Sequence, residues 1–212
     1  MGFGPLAFSP DGTILAAVSD RVIQLWEVKT GVYLGDLRGS IGSIHVLAFS
    51  PDGKTLVSAD CLMCGPNTDA LAWDVPSRSL KADLQTTGSV SGSVEEAAFT
   101  ANGSLITVGM GCCHVQTSDL QARQWHNLQL EDIGGIASLK LSDDGNYLLI
   151  ANGDTSTFTI WDLKQRSVLG EVSMAVIYPE VHNFGFGNSA FSPDGNYIAT
   201  VNDGTLVVWK FQ

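Results

Sequence analysis

The segment Phe-Ser-Pro-Asp-Gly occurs three times, at 8–12, 49–53 and 191–195, with degenerate copies at 99–103 (Phe-Thr-Ala-Asn-Gly) and 141–145 (Leu-Ser-Asp-Asp-Gly). The glycines that close these segments, Gly12, Gly53, Gly103, Gly145 and Gly195, lie 41, 50, 42 and 50 residues apart. Self-similarity at such a period marks a chain made of stacked copies of one supersecondary unit, none of which can bury its apolar surface alone.

Each copy has the same internal order. A short apolar strand follows the turn: TILAAVS, TLVSA, SLITVG, YLLIAN and YIATVN. A polar loop and a second strand come next: VIQLWEV, LAWDV, CHVQTS, FTIWDL and TLVVWKF. Trp26, Trp73, Trp161 and Trp209 hold equivalent places in that second strand, and the spacing puts Thr117 there in the third copy. In Ser-Pro-Asp-Gly, proline presets φ, aspartate bonds back to its own backbone and glycine supplies a positive φ. Asp11 and Gly12, Asp52 and Gly53, and Asp194 and Gly195 are therefore structural turn residues joining antiparallel strands. Strands apolar throughout predict burial on both faces.

These residues resemble the WD-repeat family over essentially the whole chain. FSPDG…LAAVSD…IQLWEV and FSPDG…YIATVND…LVVWKF are similar to its consensus, and Ile-Trp-Asp-Leu at 160–163 carries the Trp-Asp pair. The resemblance implies an all-β β-propeller, a single domain over 1–212, with five blades of four-stranded antiparallel sheets. The repeats run approximately 1–37, 38–84, 85–128, 129–172 and 173–212. The Gly-His pair that usually precedes the innermost strand is absent, so the family's Asp-His-Ser/Thr-Trp hydrogen-bond set cannot form as it does there. Apolar packing is expected to take its place.

With strands a to d named from the innermost outwards, the sequence opens in strand a (PLAFSP) and closes after strand c (LVVWKFQ). Outer strands are read at 31–37, 78–84, 122–128 and 166–172, and the last blade lacks one. Three readings stay open: a fragment of a propeller with further blades, a complete five-bladed ring with a three-stranded last blade, or an edge that pairs with another chain.

Composition narrows the function classes. Asp and Glu outnumber Lys and Arg 22 to 11, for a net charge of −11, which repels phosphate backbones and anionic lipid. Nucleic acid and membrane are excluded as expected partners, and a protein or peptide, with basic ones suited, is favoured. No apolar run approaches the roughly 20 residues needed to span a bilayer. The N-terminus has no signal-peptide pattern, so the cytoplasm is favoured. Cofactors are not expected.

Loop lengths locate candidate sites, since function concentrates on elaborated loops. The turn glycine precedes the Trp position by 14 residues in repeats 1, 3 and 5, by 16 in repeat 4 and by 20 in repeat 2. The second repeat thus carries a b–c expansion at 61–70, with Cys61 and Cys64. The d–a connection at 175–188 is also long and holds Tyr178, His182, Phe184 and Phe186, aromatic anchors suited to a partner. By the resemblance both insertions fall on one face. Cys61, Cys64, Cys112 and His114 form a Cys₃His set that could hold zinc, although Gly-Cys-Cys-His makes a poor chelating turn. A disulfide and plain reduced thiols, which are favoured, are the competing readings.

Catalysis has one candidate. His45 and Glu95 each stand four residues before the strand-a phenylalanine, Phe49 or Phe99, with Glu96 beside them. They define a channel-mouth hydrolase as the alternative function. A solvated channel mouth is the simpler reading, because repeats 1, 4 and 5 have Gly4, Ala137 and Gly187 there. The expected function is a non-catalytic protein- or peptide-binding scaffold using one loop face, with a regulatory domain of a longer multidomain chain as a further alternative.

Overall fold

The computed structural model describes residues 4–40, 42–61, 70–84, 94–109, 114–119, 124–129, 136–142, 144–152, 157–173, 186–192, 196–202 and 205–210. These residues form strands and turns, with no helix among them and so none long and apolar enough to cross a membrane. Blade 1 is β1 (Leu6–Phe8), β2 (Ile14–Ser19), β3 (Val22–Glu27) and β4 (Tyr33–Arg38). Blade 2 is β5 (Ser43–Phe49), β6 (Thr55–Cys61), β7 (Ala70–Asp74) and β8 (Ser79–Asp83). Blade 3 is β9 (Val94–Phe99), β10 (Leu105–Gly109), β11 (His114–Asp119) and β12 (Gln124–Gln129). Blade 4 is β13 (Ile136–Leu141), β14 (Tyr147–Asn152), β15 (Thr157–Asp162) and β16 (Ser167–Ser173). Blade 5 is β17 (Phe186–Phe191), β18 (Tyr197–Asn202) and β19 (Thr205–Lys210).

Each blade is an antiparallel meander in chain order, four-stranded in blades 1 to 4 and three-stranded in blade 5 among the described residues. The chain separates into two compact units, Met1–Asn127 with blades 1 to 3 up to the middle of β12, and Leu128–Gln212 with the end of β12 and blades 4 and 5.

The repeated turn follows from four consecutive residues. The Gly12 N–H donates to the Ser9 carbonyl at 2.8 Å, closing a turn whose last residue, Gly12, has φ +69°. That conformation is costly for a residue with a Cβ. Ser9 Oγ donates to Asp11 Oδ1 at 2.6 Å and accepts the Ile14 N–H at 2.9 Å, so this buried hydroxyl is satisfied. Ser50, Asp52 and Thr55 repeat the set in blade 2, and Ser142, Asp144 and Tyr147 repeat it in blade 4. Asp194 and Gly195 lie outside the described residues.

Blade 3 departs from the pattern. Its Thr100 N–H reaches the carbonyl of Ser104, four residues on, where Ser50 reaches Thr55, five on. One residue is missing after Gly103, and Leu105 therefore takes the place of Leu56, each facing the strand-a phenylalanine. Leu105 lies opposite Ser118 as Leu56 lies opposite Trp73. The tryptophan place in blade 3 thus belongs to Ser118, not to Thr117. Counting 14 residues from the glycine misplaces the position by one, because one residue is lost after Gly103 and the following loop, 110–113 against 20–21 in blade 1, is two residues longer.

Burial is deepest on the middle strands. Thr55 to Ala59 and Ala70 to Trp73 are buried without alternation, as expected of sheets covered on both faces. One apolar cluster joins blade 1 to blade 2 through Ile23, Leu25, Leu37, Leu56 and Trp73. A second joins blade 2 to blade 3 through Val57, Ala72, Phe99 and Leu105. Within the second unit, Leu149, Phe158 and Ile198 join blade 4 to blade 5. Each fully buried Leu or Ile contributes about 1.5–3 kcal/mol of transfer free energy, so contact between blades is what stabilises each one.

Candidate functional site

The scaffold decides which residues are spoken for. Asp11 and Asp52 are held below the usual carboxylate range, chiefly by the serine hydroxyl two residues before each and then by a backbone N–H two residues after. Asp74, at the end of β7, is lowered in the same way by the hydroxyl and N–H of Ser77. These carboxylates are engaged in their own turns and are not spare groups for chemistry.

Tryptophan has two environments. Trp73, 1% exposed, donates through Nε1 to Ser58 Oγ at 2.9 Å, and Trp209 donates to Thr200 Oγ1 at 3.2 Å. The Ser/Thr-Trp half of the hydrogen-bond set thus survives in blades 2 and 5 without the histidine. Ala17 and Ile150 stand at the Ser58 position in blades 1 and 4, so no side-chain oxygen is available there to accept from Trp26 or Trp161. The expectation that apolar packing replaces the whole set needs this correction, because Ser58 and Thr200 keep one bond of it.

His45 and Glu95 occupy matching irregularities. In β5 the register skips His45, between Ile44 and Val46, and in β9 it skips Glu95, between Val94 and Glu96. An extra residue at a β-bulge is re-aimed relative to its neighbours. The two inner strands pack side by side, and His45 is exposed while Glu96 is half-buried. The fold thus brings the two backbone positions onto adjacent strands; the Glu95 side chain is outside the described residues. The bulge recurs in β13 at Ala137, so it belongs to the blade pattern and not to His45 and Glu95 specifically.

The two loop expansions are delimited by their strands. Between β2 and β3 lie only Asp20 and Arg21, whereas residues 62–69 lie between β6 and β7. Residues 39–42 join β4 to β5, whereas 174–185 join β16 to β17. Cys61 ends β6, His114 begins β11 and Phe186 begins β17. Cys64, Cys112, Tyr178, His182 and Phe184 lie outside the described residues, as does the geometry of the cysteine set. Among the described residues no cluster of His, Cys, Asp and Glu fit for a metal is present.

A polar concavity of about 520 Å³ opens between the turns of blades 2 and 3, lined by Asp52, Thr55, Lys81, Phe99 and Asn102 among others. Lys81 Nζ donates to Thr55 Oγ1 at 2.9 Å. Nothing in the sequence pattern flagged this place, since Lys81 reads as an ordinary solvated charge on an outer strand.

Comparison with known proteins places this framework. The family described as "WD domain, G-beta repeat" matches residues 6–27, 31–64 and 182–210. The chain is 22% identical to Autophagy-related protein 16 of Arabidopsis thaliana, over 99% of this chain and 47% of that protein. It is 24% identical to the Protein LST8 homolog of Drosophila melanogaster, over 95% of this chain and 63% of that protein. It therefore spans less than two thirds of the length of these curated relatives. Among solved structures, Kuenenia stuttgartiensis hydrazine synthase matches with a TM-score of 0.71 at 15% identity, over 93% of this chain and 54% of that one, which is a likeness of fold alone. The chain thus carries WD40 repeats in the first, second and fifth of five copies of one blade motif, and its fold is that of a β-propeller.

Proposed function

We propose that the chain is a non-catalytic scaffold that captures a protein or peptide through the face bearing the expansions at 61–70 and 175–188. The observation that carries this reading is the contrast in loop length on an otherwise repeated framework: residues 62–69 stand where blade 1 has Asp20 and Arg21. Strands buried between neighbouring blades, such as β6 and β7, fix the ends of the 62–69 loop before a partner binds. The net charge of −11 favours a basic partner by steering its approach. Similarity to Autophagy-related protein 16 and to the LST8 homolog along most of this chain supports an interaction role over a catalytic one.

The test is capture of partners from lysate by the full chain and by a variant in which 175–188 is replaced by the short connection 39–42. Loss of specific partners with an unchanged melting temperature is the expected result. Identical capture by both proteins overturns the assignment of this face.

A further inference from the structure

The seam between blades 1 and 2 is closed and apolar where their turns meet. Ile14 and Leu34 of blade 1 both pack against the cluster that joins the two blades. A Cβ built on Gly53 of blade 2 would lie 3.7 Å from Pro10 Cδ and 3.9 Å from Ser9 Cβ, so the two turns touch. The seam between blades 2 and 3 fills the equivalent places differently. Thr55 stands opposite Asp74 as Ile14 stands opposite Glu27, and Lys81 is the bulged residue of β8 as Leu34 is of β4. A hydroxyl and an ammonium thus replace two aliphatic side chains. Across the seam, Asn102 takes the place that Asp11 and Asp52 hold in their turns, and the turn of blade 3 is one residue shorter. A Cβ on Gly103 would meet nothing within 4 Å. These changes leave the concavity of about 520 Å³ at the start of β6, the opposite end of that strand from residues 62–69.

Its walls hold unused hydrogen-bonding groups. Thr55 is 5% exposed; its Oγ1 accepts from Lys81 Nζ at 2.9 Å, and its O–H has no acceptor among the described residues. An ammonium carries three donors, so Lys81 has others to give. Asn102 Oδ1 is taken by the Thr100 hydroxyl and the Ser104 N–H, which leaves its amide NH₂ as a donor. Asp52 holds its turn through Oδ1, and its Oδ2 has no partner among the described residues. Charge is balanced here. Asp52 is drawn down first by Ser50 and Asp74 first by Ser77, and the Lys81 charge adds to both. An anion entering the concavity would meet those carboxylates, and a cation would meet the ammonium. The walls therefore suit a neutral group that accepts and donates at one atom, as a hydroxyl does.

We propose that this seam binds a sugar residue. Neighbouring hydroxyls of the sugar accept from Lys81, Thr55 and Asn102 and donate to Asp52, while Pro51 and Ala101 offer apolar surface to its C–H face. The volume falls in the range of small-ligand sites, about 300–1,000 Å³. Polar groups at two places where blade 1 is aliphatic cost stability unless something bonds to them, which is why the site shows as a departure from the repeat. It is separate from the loop face proposed above.

The test is saturation-transfer difference NMR on the full chain with glucose, galactose, mannose and N-acetylglucosamine in turn. At least one of these sugars should give saturable transfer. Thr55→Ile with Lys81→Leu gives blade 2 the residues of blade 1, and should abolish transfer while leaving the melting temperature unchanged or higher. Asn102→Asp installs the repeat's own turn residue, keeping the Oδ1 acceptor and removing the NH₂ donors, and should weaken binding about tenfold with the fold intact. Absence of transfer from all of these sugars overturns the proposal, as does transfer indifferent to both variants. Binding of acetate, inorganic phosphate or trialanine in place of any sugar overturns it too.

Discussion

The Nε1–H of Trp73 donates to Ser58 Oγ across 2.9 Å, with both side chains buried and one rung of the β6–β7 ladder between them. The bond ties the blade's second and third strands together through their side chains as well as their backbones. It also sets a first test.

Ser58→Ala leaves the Trp73 N–H buried without an acceptor, which costs about 1–3 kcal/mol. Thr200→Ala removes the same partner from Trp209, but that indole is half-buried and water can replace the lost oxygen. Denaturant unfolding should therefore show a clear loss for Ser58→Ala and a smaller one for Thr200→Ala. Equal losses would contradict the difference in burial.

Gly12 at the turn and Gly170 in β16 should respond oppositely. Gly12→Ala forces a Cβ into φ +69° with no steric neighbour, so its cost is conformational alone, about 1–2 kcal/mol. Gly170→Ala should be neutral or slightly stabilising, because the substitution restricts the unfolded chain without straining the folded one. Thermal melts of the two variants side by side check this.

Leu56→Ala should cost about 2–5 kcal/mol, since Leu56 is wholly buried in the cluster joining blade 1 to blade 2. The loss should appear as a lower denaturant midpoint. A midpoint within experimental error of the parent would mean that the two blades do not depend on each other.

Acid should destabilise the chain through its turns. Asp11, Asp52 and Asp74 have folded pKa values below the ordinary carboxylate value, so each binds protons less readily folded than unfolded. Their contribution is present above the unfolded value of about 3.9 and is lost as pH falls towards the lower folded value. The melting temperature should fall between about pH 5 and about pH 2. Asp52→Asn, which keeps an acceptor for Ser50 and the Lys54 N–H, should flatten part of that slope. An unchanged slope would show that these carboxylates are not the groups being titrated.

Much of the architecture was legible because its signals are local. Ser9, Pro10, Asp11 and Gly12 are consecutive, and their turn depends on bonds among themselves and their immediate neighbours. The strand order and the four-stranded blades follow from repeating that unit. The candidate site was less legible. The bulges that carry His45 and Glu95 leave no mark in residue type, since Ala137 holds the same place in blade 4. The lengths of the two expanded loops were readable, but length says nothing of what a loop's side chains meet.

The sequence by itself determined the fold class, the repeated turns and which strands form each blade, because those rest on short-range backbone chemistry and hydrophobic pattern. Tertiary structure alone decided the register of blade 3, where one residue is lost after Gly103, two are gained in the next loop, and only strand pairing shows Ser118 opposite Leu105. It also decided that Arg78 of the next blade covers Gly35. Arg78 and the Leu34 carbonyl are 44 residues apart and meet only because one blade packs on the next, and no pattern along a single blade encodes that contact.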